Sequence, residues 1–187
     1  MVRALLFIVA LLAACVPAIA AADNRITHAE IVYTEDGHVL NADFELDLNP
    51  LLTDALDHGV ALHFVIEIRI ERPRWYWFDM AVSERRLEYR LTYHALTRSY
   101  RLSTGSLHRS FTTLSEALNT LQHIRNWPVA NAGELKPGVP HEVELRLRHD
   151  TSLLPGPFQL SAVANGEWDV DTGWLQWTFL PEAVTSR

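Results

Sequence analysis

Strict alternation of apolar and polar residues is the feature that most constrains how this chain can fold. It is cleanest over residues 39–48 and recurs over 60–71, 87–93 and 143–147. Successive side chains of a β-strand point to opposite faces of the sheet, so each segment is expected to bury one face and expose the other. In the first segment the apolar positions are Leu40, Ala42, Phe44, Leu46 and Leu48, and the polar positions between them are Asn41, Asp43, Glu45 and Asp47.

The segment 39–48 is expected to form a hairpin with the β-rich segment 26–33. Asp36-Gly37 lies between the two, and this dipeptide favours a type I′ turn, whose two central residues both need positive φ. A second turn is expected at Ser103-Thr104-Gly105-Ser106. Further strands are predicted over 100–102, 107–111, 158–163 and 174–179, with Asn165-Gly166 as another hairpin turn.

Two short helices are expected between the strands. Asn49 suits the N-cap of the first, Pro50 suits its first position, and Gly59 suits the position after its end. Thr113 and Glu116 have the spacing of a capping box at the start of the second helix. The apolar stripe of that helix contains Leu114, Ala117, Leu118, Leu121 and Ile124, and Pro128 prevents its continuation.

These elements predict a mostly β fold, an antiparallel β-sandwich of about 8–10 strands with two short helices. Residues 23–187 have the length of one ordinary domain, and no linker or internal repeat divides them. A chain of this size buries about 68–70% of its unfolded surface, so its core is expected to need no disulfide. We therefore expect a single β-sandwich domain.

The first 22 residues are predicted to be a secretory signal peptide. Arg3 precedes an apolar run over residues 4–16, and a small-residue stretch follows at 18–22. Cleavage after Ala20 or Ala22 would leave a periplasmic or secreted domain. The alternative is a lipoprotein, because residues 12–15 resemble a lipobox and lipidation of Cys15 would anchor the protein to the membrane.

Charge is unevenly distributed along the chain, whose formal net charge is −7. This balance excludes nucleic acid from the expected partners. Residues 26–57 contain eight acidic residues and no lysine or arginine, whereas residues 84–109 contain six arginines and two glutamates. We expect the two segments to pair across a sheet; in the alternative, the basic segment faces anionic headgroups.

An aromatic run between charged residues is the best candidate for a binding site. Adjacent strand residues face opposite sides of a sheet, so four successive aromatic residues cannot all enter one core. Exposed members would bind a protein partner or a sugar ring, whereas a covering helix would make the run purely structural. The candidate site consists of Arg72, Arg74, Trp75, Tyr76, Trp77, Phe78 and Asp79.

No motif predicts a catalytic centre, a cofactor or a metal site. The acidic face of Asp43, Glu45 and Asp47 is expected to hold no calcium, because a flat strand spaces its carboxylates apart. The nine histidines include no zinc-protease motif. A carboxylate pair such as Glu71 and Asp79 would serve a glycosidase if both lined a cleft. Whether the protein is an enzyme is left open by the sequence, with a non-catalytic role favoured.

Four segments carry a resemblance to a known family. They are 72–79, 93–105, 127–128 and 150–155, and they resemble the exported proteobacterial family called domain of unknown function 4390. The resemblance implies a location in the cell envelope and no catalytic residues. It also implies a weak link to a membrane sensor kinase, because genes of similar proteins often lie beside one.

From these observations we expect an exported envelope domain that binds a protein partner without catalysis and serves as an accessory to envelope signalling. A glycan-binding or glycan-cleaving module is the alternative. No cofactor is expected, and membrane anchoring is expected only if Cys15 is lipidated.

The export prediction can be tested on the mature protein. Because the small residues at 18–22 suit signal peptidase, intact-mass spectrometry of protein purified from the envelope is expected to give a chain that begins at Ala21 or Asp23. A chain that begins at Cys15 with an acyl mass would identify the lipoprotein, and a chain that retains Met1 would contradict export altogether.

Overall fold

The computed structural model describes residues 24–73 and 80–182. Nine strands and three helices lie in this part of the chain, with a 3₁₀ turn before the last helix. In chain order they are β1 (Arg25–Thr34), β2 (Gly37–Glu45), α1 (Pro50–Asp57), β3 (Leu62–Arg72), β4 (Met80–His94), β5 (Ser99–Thr104), β6 (Leu107–Phe111), α2 (Leu114–Gln122), β7 (His123–Asn131), β8 (His141–His149), the 3₁₀ turn (Thr151–Leu153), α3 (Gly156–Asn165) and β9 (Leu175–Phe179).

The strands form two antiparallel sheets, as the alternation predicts. The smaller sheet has the order β1-β2-β7, and the larger has the order β6-β5-β4-β3-β8-β9. Their inner faces share one hydrophobic core, to which β2, β3 and β8 contribute alternate residues. The inner residues of these three strands are buried, and their alternation matches the strand period of two. The predicted antiparallel β-sandwich is confirmed.

Both predicted helices are present, and the side chains expected to start them do so. The Asn49 side chain accepts a hydrogen bond from the Leu52 amide at 2.9 Å. The end of α1 is a Schellman motif, in which the Gly59 amide donates to Leu56 and the Val60 amide donates to Ala55, each at 2.9 Å. Thr113 and Glu116 form the reciprocal capping box at the start of α2.

The second helix ends earlier than its apolar stripe predicts. It stops at Gln122, and Ile124 lies instead on β7, buried opposite Ala42 of β2. Pro128 lies within β7, which pairs with β2 alone in the described sheets. An edge strand tolerates proline because one of its two sides needs no ladder hydrogen bonds. The sequence indicates a helix stop here but misses the strand that follows.

The predicted strand over 158–163 is wrong, because these residues lie within α3. Pro157 is in the first turn of this helix, and Gly166 follows its end with φ 62°. Asn165-Gly166 is therefore a helix end and not a hairpin turn. The buried Trp168 packs on the ring of Phe158 at 5.4 Å between centroids. A short apolar run does not distinguish strand from helix, and the flanking proline and glycine are the signals of a helix.

The first hairpin is confirmed, but its turn differs from the predicted type. Gly37 pairs with Thr34, so the two loop residues are Glu35 and Asp36, and neither has positive φ. Gly37 itself has φ 137°. A Cβ on this residue would lie 2.3 Å from the carbonyl oxygen of Ala130 on β7. Glycine is needed here because a third strand approaches the hairpin.

The expected pairing between the acidic and basic segments is largely wrong. The acidic strands β1 and β2 belong to the smaller sheet, and the arginines of β4 and β5 belong to the larger one. The acids of β2 pair elsewhere, with Asp43 bound to Arg125 and Glu45 bound to Arg25. One contact does join the two segments, a hydrogen bond of 2.9 Å from the Tyr100 hydroxyl to Asp57.

Within the described ranges, no helix has both the length and the apolar character to cross a bilayer.

The close approach at Gly37 gives a stability prediction. Replacing Gly37 with Ala is expected to lower the free energy of unfolding by about 3 kcal/mol or more, because it adds a backbone clash to an unfavourable φ. Gly138→Ala is the matched control, since Gly138 also has positive φ but its Cβ would meet open space. It should cost about 1–2 kcal/mol. Equal losses in urea unfolding would contradict the role given to β7.

Candidate functional site

Of the candidate site built around the aromatic run, only Arg72 lies within the described structure. Arg72 is half-buried at the end of β3, where it pairs with Met80 at the start of β4. Burial is the main cause that lowers the pKa of the nearby His141, and the positive charge of Arg72 lowers it further. The other members of the candidate site lie outside the described residues, and they are Arg74, Trp75, Tyr76, Trp77, Phe78 and Asp79. The prediction made for this run stays a prediction.

The outer face of the larger sheet, opposite the core, carries rows of charged side chains. Glu67 of the central strand β3 is at its middle and is only 7% exposed. Its two carboxylate oxygens contact Arg86 of β4 and Arg148 of β8, each at 3.3 Å. A carboxylate this deeply buried needs such partners, because an unpaired buried charge is strongly destabilising. The outer face is therefore covered by long charged side chains and is less open than the alternation predicts.

An aromatic ring completes the covering of the outer face beside β8. Trp174 lies near two guanidinium groups, 5.0 Å from Arg69 and 5.5 Å from Arg146, measured to the ring centroid. Arg146 also forms a two-point hydrogen bond with Asp171. This hydrogen bond is the main reason that the pKa of Asp171 lies below its ordinary value. Such contacts contribute most to stability when the side chains are partly screened from water, as they are here.

Charge on the outer face changes sign from one end of the strands to the other. At the end where Arg72 lies, Glu71, Glu142 and Glu144 line a pocket of about 180 Å³. Glu142 accepts a hydrogen bond from Thr178 at 3.0 Å, and Glu144 accepts one from the Gln176 side chain. Toward the opposite end, one row places Arg90 beside His63 of β3. The same face thus has an acidic end and a basic end.

A groove of about 410 Å³ opens at the basic end of the outer face. Arg90 of β4 and Arg101 of β5 line it, and Glu88 lies in its wall. Leu107 at the start of β6 and Leu153 in the 3₁₀ turn form its rim, with 72% and 54% of their surface exposed. We use the name arginine groove for this feature, defined by Arg90, Arg101, Leu107 and Leu153.

The lengths of the strands explain why the groove is there. β4 is a 15-residue strand, but β5 pairs with it only from Arg90 to His94. The short β5-β6 hairpin then turns at Gly105, whose φ is 53°, and leaves a recess beside the middle of β4. The sequence predicts this turn correctly. It does not reveal that the turn borders a groove, because the 3₁₀ turn that closes the other side is distant in sequence.

The two arginines of the groove differ from those around them. Arg69, Arg86, Arg146 and Arg148 all contact carboxylates on the outer face. Among the described residues, neither Arg90 nor Arg101 has a carboxylate within ion-pair distance. The Nε atom of Arg101 is buried and has no acceptor in the same part of the chain. Burial first, and Arg90 second, lower the pKa of the neighbouring His63.

The residues of the groove were missed as a site by the sequence analysis, although a signal was present. Arg101 and Gly105 belong to the segment 93–105, and Leu153 belongs to 150–155. Both segments were singled out for their resemblance to a family. Only the fold shows that they border one recess, because β5 and the 3₁₀ turn approach β3 and β4 from different parts of the chain.

Three histidines are buried in the core or at its edge, and they are His38, His141 and His149. The Nδ1–H of His149 donates a hydrogen bond to the Trp168 carbonyl oxygen at 2.8 Å. Each of the three has one ring nitrogen without a partner among the described residues. Burial is the main cause that lowers the pKa of all three. They are therefore neutral in the folded protein at neutral pH.

No group of three potential ligands that could hold a metal ion occurs in residues 24–73 and 80–182. The acids once considered for calcium serve other contacts, since Asp43 binds Arg125 and Glu45 binds Arg25.

The buried histidines predict a loss of stability in mild acid. As pH falls through 6.5, unfolded histidines take up protons, whereas the folded ones resist until their lower pKa is reached. The unfolded state then binds more protons, so the free energy of unfolding should decrease from pH 7.5 to 5.5 in urea titrations. The carboxyl group of Asp171, whose pKa is lowered, changes the stability only below about pH 3.8, outside this range of pH.

His38→Phe should make this decrease shallower, because the ring that lies between Tyr33 and Phe179 no longer titrates. His58→Gln is the control of opposite sign, since the exposed His58 has a raised pKa from its hydrogen bond to the Asp54 carbonyl. Its loss should make the decrease slightly steeper. A pH-independent stability in the wild-type protein would contradict the assignment.

Comparison with known proteins places the chain by its sequence. No curated protein and no solved structure matches it. A family model described as a domain of unknown function matches residues 21–178, which include all nine strands of the described structure except the last residue of β9. The chain belongs to this family, DUF4390.

Proposed function

We propose that this protein is a non-catalytic domain of the cell envelope that binds a protein partner through the arginine groove. The observation that carries the proposal is the pair Arg90 and Arg101, which line a recess without carboxylate partners in the described structure. Exposed leucines border the same recess. Arginine next to apolar surface is typical of the residues that contribute most to protein–protein affinity.

Export through the signal peptide at residues 1–22 is part of this proposal. The mature domain would reside in the periplasm or be secreted, or it would be anchored through Cys15 if this residue is lipidated. A membrane sensor kinase is our first candidate partner. In sequence, the aromatic run lies between β3 and β4, which end and begin with the paired residues Arg72 and Met80. We propose this run as a second contact for the partner.

One observation bears on the glycan alternative. Glu71 lies opposite Glu142 on neighbouring strands, and both line the acidic pocket. Paired carboxylates about 5–9 Å apart in a cleft are what a glycosidase needs. However, Glu142 is held by Thr178 of β9, so its carboxylate already has a structural role. The arginine groove therefore has the stronger support.

Cross-linking in intact envelopes tests the proposed function. The protein with Arg90→Glu and Arg101→Glu should lose at least about tenfold of the partner that the wild-type protein captures, since each charge reversal opposes an acidic surface. Lys136→Glu is the matched control, because Lys136 is exposed on the loop before β8, away from the groove. It should capture the partner as the wild-type protein does.

The same experiment contains the outcomes that count against the proposal. Equal recovery of the partner with the double variant would remove the groove from the interface. Recovery of glycan instead of protein, lost in Glu71→Gln, would favour the alternative function.

A further inference from the structure

We infer that the occupant of the arginine groove is an acidic segment of a protein chain, whose carboxylates pair with Arg90 and Arg101 while an apolar side chain next to them covers Leu107 and Leu153. The inference rests on the proposed function and names the chemistry of the partner at this site. It assigns a ligand class to a recess of about 410 Å³, which is within the usual range for ligand pockets.

Among the described residues, Arg90 and Arg101 differ from the other arginines of the outer face in lacking a carboxylate partner. The guanidinium groups elsewhere on the outer face contact carboxylates of the protein itself, as Arg86 and Arg148 do with Glu67. Arg90 and Arg101 have no such acceptor in the described part of the chain. The Nε–H of Arg101 is buried and without an acceptor there. A planar carboxylate supplies two acceptor oxygens in the geometry that a guanidinium matches.

The rim of the arginine groove is apolar. Leu107 and Leu153 come from β6 and from the 3₁₀ turn, and both line the groove with more than half of their surface exposed. A small free anion such as phosphate would bind between the arginines and leave both leucines in water. An occupant that has a carboxylate and an apolar side chain in sequence satisfies both features at once.

The acidic end of the outer face favours a protein segment over an anionic membrane as the occupant. A flat bilayer would contact the outer face broadly, including the acidic end with Glu71, Glu142 and Glu144. Repulsion at these positions disfavours a surface of anionic headgroups. A narrow acidic segment enters the groove and avoids the glutamates at the far end.

The test measures binding of a short fluorescein-labelled peptide of alternating leucine and glutamate by anisotropy. We expect saturable binding that weakens as salt is added. A matched peptide with glutamine in place of glutamate should bind at least about tenfold more weakly. Arg90→Gln with Arg101→Gln should weaken binding of the glutamate peptide by a similar factor, and Leu107→Ser should also weaken it. Lys136→Gln should not change it.

Circular dichroism and urea unfolding establish that each variant is folded before its binding is measured. Equal affinity for the two peptides, or unchanged affinity in the double arginine variant, would overturn the inference. Arginine-dependent binding to phosphatidylglycerol vesicles without binding to the glutamate peptide would also overturn it, in favour of a membrane.

The two proposals can fail separately. If a partner is captured from envelopes through the groove but the glutamate peptide does not bind, the acidic segment is wrong and the proposed function stands. If the peptide binds but no partner depends on the groove in envelopes, the proposed function fails.

Discussion

The structure depends on the central strand β3 being apolar on one face and charged on the other. Its inner residues, such as Ile66 and Ile68, are fully buried in the core between the sheets. On its outer face, side chains from the neighbouring strands β4 and β8 cover Glu67. This carboxylate is therefore removed from water even though it faces away from the core. Burial of this carboxylate is tolerable only because Arg86 and Arg148 contact it from both sides. Strand order, register and surface charge are coupled at this one position.

This coupling explains why most charges on the outer face are structural. Two rows across β4, β3 and β8 set opposite charges side by side, Arg86-Glu67-Arg146 in one and Glu84-Arg69-Glu144 in the next. The aromatic ring of Trp174 covers Arg69 and Arg146. Cross-strand pairs of this kind each contribute a few tenths of a kcal/mol to about 1 kcal/mol. The basic end departs from the pattern because the row of Arg90 has histidine and serine as neighbours instead of acids. We propose that these two arginines, which have no carboxylate partner in the described structure, contact an external partner.

The fold was largely predictable, and the errors have identifiable physical causes. Alternation and capping are local properties, so β2, β3, β8 and the two expected helices follow from the residues themselves. The helix over 156–165 was missed because a short apolar run fits the residue period of a strand as well as that of a helix. Pro157 at the start and Gly166 after the end are the signals that indicate a helix. The turn at Gly37 was misassigned because its glycine serves β7, a strand from a distant part of the chain. Of the candidate site around the aromatic run, only Arg72 lies in the described structure. The arginine groove was not predicted from the sequence.

By itself, the sequence determined the β-rich class, the residues that face the core, the ends of two helices and the family. These depend on interactions within a few residues, which the order of amino acids specifies directly. The tertiary structure alone decided which strands are neighbours, which arginines find carboxylates and where the recess forms. Arg101 and Leu153 border the same groove, yet no local pattern links them. Pairing between strands distant in sequence is selected by burial of the whole core, so it becomes visible only when the chain has folded.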